Sequence, residues 1–155
     1  MPYGYTGKTL QVDLSNRKIE VEENDETFYR NYLGGRGVGY RYLLKQVPAG
    51  TDPFAPENIL VLATGVMTGS PLAASCRFAA VGKSPLTGAA GESEAAGFFG
   101  PELKRAGFDA IVFQGKSEKP VYLWVNDGKA ELKDATELAT LGARALEDAI
   151  RDEMG

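Results

Sequence analysis

The side chains able to do chemistry gather in the middle of the chain. From Ala63 to Gly107 a band of Gly, Ala, Ser and Thr carries Cys76, Arg77, Lys83, Glu92, Glu94 and Lys104. Small residues let backbone approach a bound group closely. Strongly apolar stretches flank the band on both sides (ILVLATG before, AIVFQG after). The band therefore reads as ordered backbone wrapped around a ligand, not as a linker. Arg77 at a strand mouth suits a phosphate, each charge-assisted bond being worth about 1.5–3 kcal/mol. It suits equally a solvated edge charge, and residue type does not choose between them. Glu92 and Glu94, two apart, form either a solvated loop or, in extended backbone, a pair pointing one way for acid/base work or cation binding. Gly34-Gly35-Arg36-Gly37-Val38-Gly39 reads as a glycine break between helices or as free amides and Arg36 facing an anion. It is not a dinucleotide fingerprint, because Tyr40 stands where the last glycine belongs and no strand precedes it. Gly82-Lys83-Ser84 lacks the upstream glycine of a phosphate-binding lysine loop.

Two absences narrow the chemistry further. The chain has no histidine, which excludes Ser-His-Asp, Cys-His and His-metal mechanisms within it. Cys76 is the single cysteine, so there is no internal disulfide and no self-contained iron–sulfur cluster. Its simplest role is a small buried thiol. Chemistry must come from a bound cofactor or from other polypeptide. A net charge of −4 argues against non-specific nucleic-acid binding. No apolar run approaches the roughly 20 residues of a membrane span, and the N-terminal MPYGYTGKTLQVDL lacks a signal peptide's layout. A cytoplasmic location is expected.

The elements that must position these residues fit one domain over 1–155. Leu10, Val12 and Leu14, then Ile19 and Val21, alternate around Ser15-Asn16-Arg17 and predict an N-terminal hairpin. Asp25 reads as the N-cap of a short helix to Tyr32, with Phe28 and Tyr32 on one face and Gly34-Gly35 as the stop. A second helix is expected from Gly37 to Gln46. Ile59–Ala63 and Ala110–Phe113 are apolar on both faces, as strands buried from both sides are. Arg77–Val81 reads as a short strand, and Gly100-Pro101-Glu102 opens a helix that Gly107 closes. Val121–Val125 and Ala130–Lys133 around Asn126-Asp127-Gly128 give the clearest hairpin, Tyr122 and Trp124 packing on its outer face. Leu141, Ala145, Leu146, Ala149, Ile150 and Met154 share a face of a helix from Thr140 to the end, to be covered by earlier strands or by a partner. The Gly-rich entry, short helix and apolar strand recur in both halves, a weak echo of duplication.

The chain resembles the N-terminal domain of the tungsten-containing aldehyde ferredoxin oxidoreductases. Matching segments include Gly4-Tyr5-Thr6-Gly7-Lys8, Tyr32-Leu33-Gly34-Gly35-Arg36-Gly37, Pro56-Glu57-Asn58, Ala63-Thr64-Gly65 and Arg77-Phe78. They continue through Lys83-Ser84-Pro85-Leu86-Thr87-Gly88, Phe99-Gly100-Pro101-Glu102-Leu103-Lys104 and Ala106-Gly107-Phe108-Asp109-Ala110-Ile111. The likeness implies an α+β fold, a β-rich, internally duplicated saddle of hairpin sheets with short helices. On it rests a tungstopterin, a bis-molybdopterin carrying W or Mo, bridged by Mg²⁺. The resemblance assigns Arg77 to the pterin. It lays the loop Glu94, Ala95, Ala96, Gly97 against the pterin and its Mg²⁺, with Glu94 offering oxygen to the metal. The best-known members have Asn-Ser-Gly-Gly where Glu94-Ala95-Ala96-Gly97 stand, a change that alters the charge balance. It further implies aldehyde oxidation to carboxylic acid, with electrons passing through a [4Fe–4S] cluster to ferredoxin. The cluster, the second cofactor loop and the acid/base residues belong to polypeptide beyond Gly155. The chain is then a partial N-terminal domain, inactive alone, and a homodimer is a natural assembly for it.

Overall fold

The computed structural model describes residues 4–154; Met1 to Tyr3, and Gly155 at the expected end of the last helix, lie outside the described residues. Among the described residues eight strands and four α-helices form an α+β domain, as expected. They run β1 (Lys8–Asp13), β2 (Lys18–Glu23), α1 (Glu26–Tyr32), α2 (Gly35–Gln46), β3 (Ile59–Thr64), β4 (Phe78–Lys83) and β5 (Ala90–Ala95). Then come α3 (Phe99–Arg105), β6 (Ala110–Gln114), β7 (Val121–Asn126), β8 (Lys129–Asp134) and, after a 3₁₀ turn at Leu138–Thr140, α4 (Ala143–Met154).

Six strands make one sheet in the order β2-β1-β6-β3-β4-β5, and β7-β8 make a separate hairpin. Only the β1–β6 pairing is parallel in the large sheet. The two apolar strands that carry the internal echo, β3 and β6, are antiparallel neighbours at its centre, Leu62 opposite Ile111. Alternation along each strand sorts the side chains. Val61, Ala63, Ala79, Val81, Ala110 and Val112 face α2 and pack on its Val38, Tyr42 and Leu43. Leu10, Val12 and Ile111 face the other way, onto Leu103 of α3, Phe108 and the β7–β8 hairpin.

Both predicted hairpins form, and Asp25 Oδ1 accepts the Phe28 N–H at 2.8 Å as the N-cap of α1. Three expectations change. Strand β3 is not buried from both sides, since Leu60 keeps 47% of its surface exposed on the face away from α2. The C-terminal helix starts at Ala143, leaving Leu141 outside it, and its Leu146, Ala149, Ile150 and Met154 stay half-exposed. Glu153 ties it to the hairpin by accepting from Tyr122 Oη at 2.9 Å and from Lys133 at 3.3 Å. Finally, α2 starts two residues early, at Gly35. First-turn amides have no intrahelical partner to lose, so glycines there are tolerated.

The break between α1 and α2 is a tight three-residue turn at Leu33, whose φ is 60° and ψ −40°, closed by Gly34 N–H to Tyr32 O at 2.7 Å. Positive-φ γ-turns are strained for a residue with a side chain. Leu33 is exposed, so its side chain contributes little packing. Leu33→Gly is expected to stabilise the chain by about 0.5–1 kcal/mol, less than the relieved strain because glycine loosens the unfolded chain. A raised urea midpoint at unchanged slope is the check.

Candidate functional site

Where β3 ends and β4 begins, beside the start of α2, the chain leaves a cleft of about 220 Å³. Gly35, Gly65, Thr68, Ser75, Arg77 and Glu94 are among its lining residues. The elements that build it are held by identifiable contacts. Gly34 forms an isolated antiparallel bridge with Gly65, the residue after β3. A Cβ on Gly34 would stand 2.6 Å from Thr64 O, so only glycine lets the two backbones meet there. One turn on, Gly39 lies where a Cβ would stand 2.4 Å from Val81 Cγ2, and α2 rests directly on the sheet. The glycine motif is thus mainly a packing device, as the helix-break reading has it, with one residue left over. At Gly35 a Cβ would meet no atom within 4 Å, and this residue faces the cleft.

The loop from Gly65 to Arg77 is ordered backbone, as the band of small residues suggests. Thr68 Oγ1 accepts from Gly65 N at 3.0 Å and donates to Arg77 O at 2.7 Å, while Ser75 Oγ bonds the carbonyl oxygens of Ser70 and Leu72. Arg77 precedes β4 by one residue and keeps 64% of its side chain exposed at the cleft mouth. Cys76 is half-buried behind it.

The segment expected as a loop around Glu94 is corrected. Ala90–Ala95 is a strand, β5, at the sheet edge, and only Ala96, Gly97 and Phe98 form the turn into α3. Regular pairing with β4 sets Glu92 opposite Val81 and Glu94 opposite Ala79, so both carboxylates lie on the face that α2 covers. There they meet Arg36 in the first turn of α2. Its Nη1 stands 3.0 Å from Glu92 Oε1 and its Nη2 3.4 Å from Glu94 Oε1. Arg77 Nη1 is 3.8 Å from Glu94 Oε2. Burial and a hydrogen bond to Glu92 both push the Tyr40 phenol above its usual range. The extended-pair reading of the two glutamates is the one the backbone adopts.

Sequence reasoning missed the polar centre beneath this site. Asp109, 3% exposed, accepts from Thr6 N and Gly7 N at 2.8 Å each, from Thr6 Oγ1 at 2.9 Å and from Tyr29 Oη at 2.7 Å. Lys104, also 3% exposed, stands 2.9 Å from its other oxygen and donates to Gly4 O. The Asp109 backbone carbonyl accepts from both Thr64 N and Thr64 Oγ1, at 2.8 and 2.9 Å. Asp109 so fastens the N-terminal segment to the strand end that carries the cleft. Burial alone would raise its pKa, but Lys104 and the donated hydrogen bonds prevail and hold it below the ordinary 3.8. The only sequence signal was a lone aspartate between Phe108 and Ala110, at the head of an apolar strand.

A model of the aldehyde ferredoxin oxidoreductase N-terminal domain matches residues 9–155. The chain belongs to that family. Over 153 residues this aldehyde ferredoxin oxidoreductase N-terminal domain is 42% identical to the tungsten-containing aldehyde ferredoxin oxidoreductase of Pyrococcus furiosus, spanning 99% of this chain and 25% of the relative. It is 35% identical over 147 residues to the WOR-like subunit of an aliphatic sulfonate oxidoreductase of the same organism, covering 93% of this chain and 23% of the relative. Among solved structures it superposes on the active-site complex BamBC of benzoyl coenzyme A reductase in complex with 1,5-dienoyl-CoA. The TM-score is 0.94 at 39% identity, over 98% of this chain and 23% of that one. The domain spans about a quarter of the length of these oxidoreductases. Among the described residues no helix is long and apolar enough to cross a membrane.

Proposed function

We propose that this domain is the N-terminal cradle for a tungstopterin, a bis-molybdopterin with W or Mo, in a larger oxidoreductase that converts aldehydes to carboxylic acids. The observation that carries the reading is the cleft itself: an exposed guanidinium beside backbone that glycine leaves open. Arg77 supplies charge-assisted donors for a phosphate or pterin oxygen. At Gly35 and Gly97 a Cβ would meet nothing within 4 Å, so a flat group can lie close to the main chain there. The first turn of α2 has no side-chain cap, and its amides and positive end favour an anion. These residues fit a phosphate-bearing, planar ligand.

In this reading Arg77, Glu94, Ala95, Ala96 and Gly97 contact the cofactor, and Glu94 lends an oxygen to Mg²⁺. Among the described residues no group of three or more His, Cys, Asp or Glu side chains is placed to hold a metal ion. Glu94 would therefore add one ligand to an ion held mainly by phosphates. When bound, the metal–pterin supplies the two-electron redox chemistry; this chain's part is to seat and orient it. The [4Fe–4S] cluster, the aldehyde site and the ferredoxin contact belong to the remainder of the protein. Relatives named for aldehydes and for an aliphatic sulfonate share this domain at 42% and 35% identity, which supports a cradle that leaves substrate choice to other segments. The enzyme is proposed to be cytoplasmic and homodimeric.

Tungsten, molybdenum and released-pterin fluorescence of the full-length protein test the reading. About one metal and two pterins per chain are expected, and fully folded protein with neither would reject it. Arg77→Ala is expected to lower cofactor occupancy about tenfold or more, the loss of one or two charge-assisted bonds. Occupancy unchanged by Arg77→Ala would favour a scaffold without a ligand.

A further inference from the structure

We infer that Arg36 is a positioning residue that keeps Arg77 free for the cofactor, by taking up the carboxylates of Glu92 and Glu94. The inference rests on the reading of the cleft as a metal–pterin cradle. Arg77 and Glu94 line the cleft, Arg36 and Glu92 stand beside them, and the contacts among these four side chains are unequal. Arg36 Nη1 makes a 3.0 Å hydrogen bond to Glu92 and its Nη2 lies 3.4 Å from Glu94. Arg77 reaches Glu94 only at 3.8 Å, too long for a hydrogen bond. Tyr40, one turn further along α2, also lies against Glu92. Glu94 therefore has its nearer cation in Arg36, and the Arg77 guanidinium keeps its donors available.

Removing the Arg36 charge changes both terms. The four-residue cluster at the cleft goes from neutral (two carboxylates against two guanidiniums) to a net of minus one, which repels an incoming anion. Glu94, on an exposed edge strand, is then drawn to Arg77 as the nearest remaining guanidinium. An arginine engaged by a carboxylate cannot present the same fork to a phosphate. Arg36 is placed for this by the backbone: the Gly34–Gly65 bridge starts α2 at the sheet end, and regular β5 pairing turns both glutamates toward it.

The test uses full-length protein purified with its cofactor: wild type, Arg36→Met, Glu94→Gln and Arg36→Met/Glu94→Gln. Tungsten or molybdenum, magnesium and pterin are measured per folded chain, with circular dichroism confirming the fold. Arg36→Met is expected to lower metal–pterin occupancy by about tenfold, the equivalent of one charge-assisted contact. Glu94→Gln keeps an oxygen but removes the competing charge, so the double variant is expected to regain the occupancy of Glu94→Gln alone within about twofold. Loss in Arg36→Met that the second substitution does not recover would show a merely structural role and overturn the inference, as would unchanged occupancy in Arg36→Met. Both of those outcomes leave the cradle reading standing. Wild-type protein without pterin overturns the two together. Should Arg36→Met not fold, Arg36→Lys against Arg36→Gln decides: retained occupancy in the lysine variant alone supports the charge role, and equal loss in both rejects it.

Discussion

Asp109→Asn is expected to destabilise the chain by about 3–5 kcal/mol, because it leaves the Lys104 ammonium buried without its counter-charge. Native domains are stable by only about 5–15 kcal/mol, so this one change removes a large share. The variant also puts an amide N–H₂ among donors, since Thr6 N, Gly7 N and Tyr29 Oη all point at the same oxygen. Urea unfolding of the chain followed by far-UV circular dichroism measures the loss. Lys104→Met in the Asp109→Asn background should cost less than the sum of the two single changes, because neither leaves the other's charge stranded. A pH series gives an independent reading. The folded pKa of Asp109 lies below its unfolded value of 3.8, so its contribution is complete above that value. It is lost as pH falls from there through the folded pKa. The stability gap between wild type and Asp109→Asn should therefore be widest near neutral pH and narrow below about pH 4. A gap independent of pH would mean that the carboxylate is not the source of the effect.

Gly34→Ala should cost about 3 kcal/mol or more, through backbone strain and forced displacement together. Gly34 has φ 133° and ψ −171°, a conformation open almost only to glycine, and its added Cβ would stand 2.6 Å from Thr64 O and 2.9 Å from Gly65 Cα. Both neighbours are backbone and cannot rotate aside. Relief requires α2 to move off the end of β3, which carries Arg36 away from β5 and opens the cleft. Gly35→Ala is the informative contrast. Its φ of 51° is one that other residues reach at about 1 kcal/mol, and its Cβ would meet no protein atom. It should leave the chain folded and still lower cofactor occupancy, since the methyl group takes space at the cleft. Equal stability losses in the two variants would contradict this division between a packing glycine and a cleft glycine.

Much of the domain was legible in the linear order of residues. Period-two alternation and turn chemistry are local, so both hairpins, the Asp25 cap, the buried centre of β6 and the helix closed at Gly107 followed from short windows. The small-residue band announced a close backbone approach, and the block Phe99 to Lys104 carried the family likeness. What depends on partners distant in the chain was not legible. Glu92 and Glu94 looked like loop residues because β5 has almost no apolar alternation to show; it is an edge strand held by β4, and only that pairing turns both carboxylates toward Arg36. Arg36 and Glu92 are 56 residues apart, and Asp109 and Thr6 are 103 apart. No spacing rule brings such residues together. Composition determined that the chain has no histidine and a single cysteine. Tertiary packing alone decided which arginine is engaged and which is left open, because that depends on separations of a few tenths of an ångström between strands and helices that meet only in the folded state.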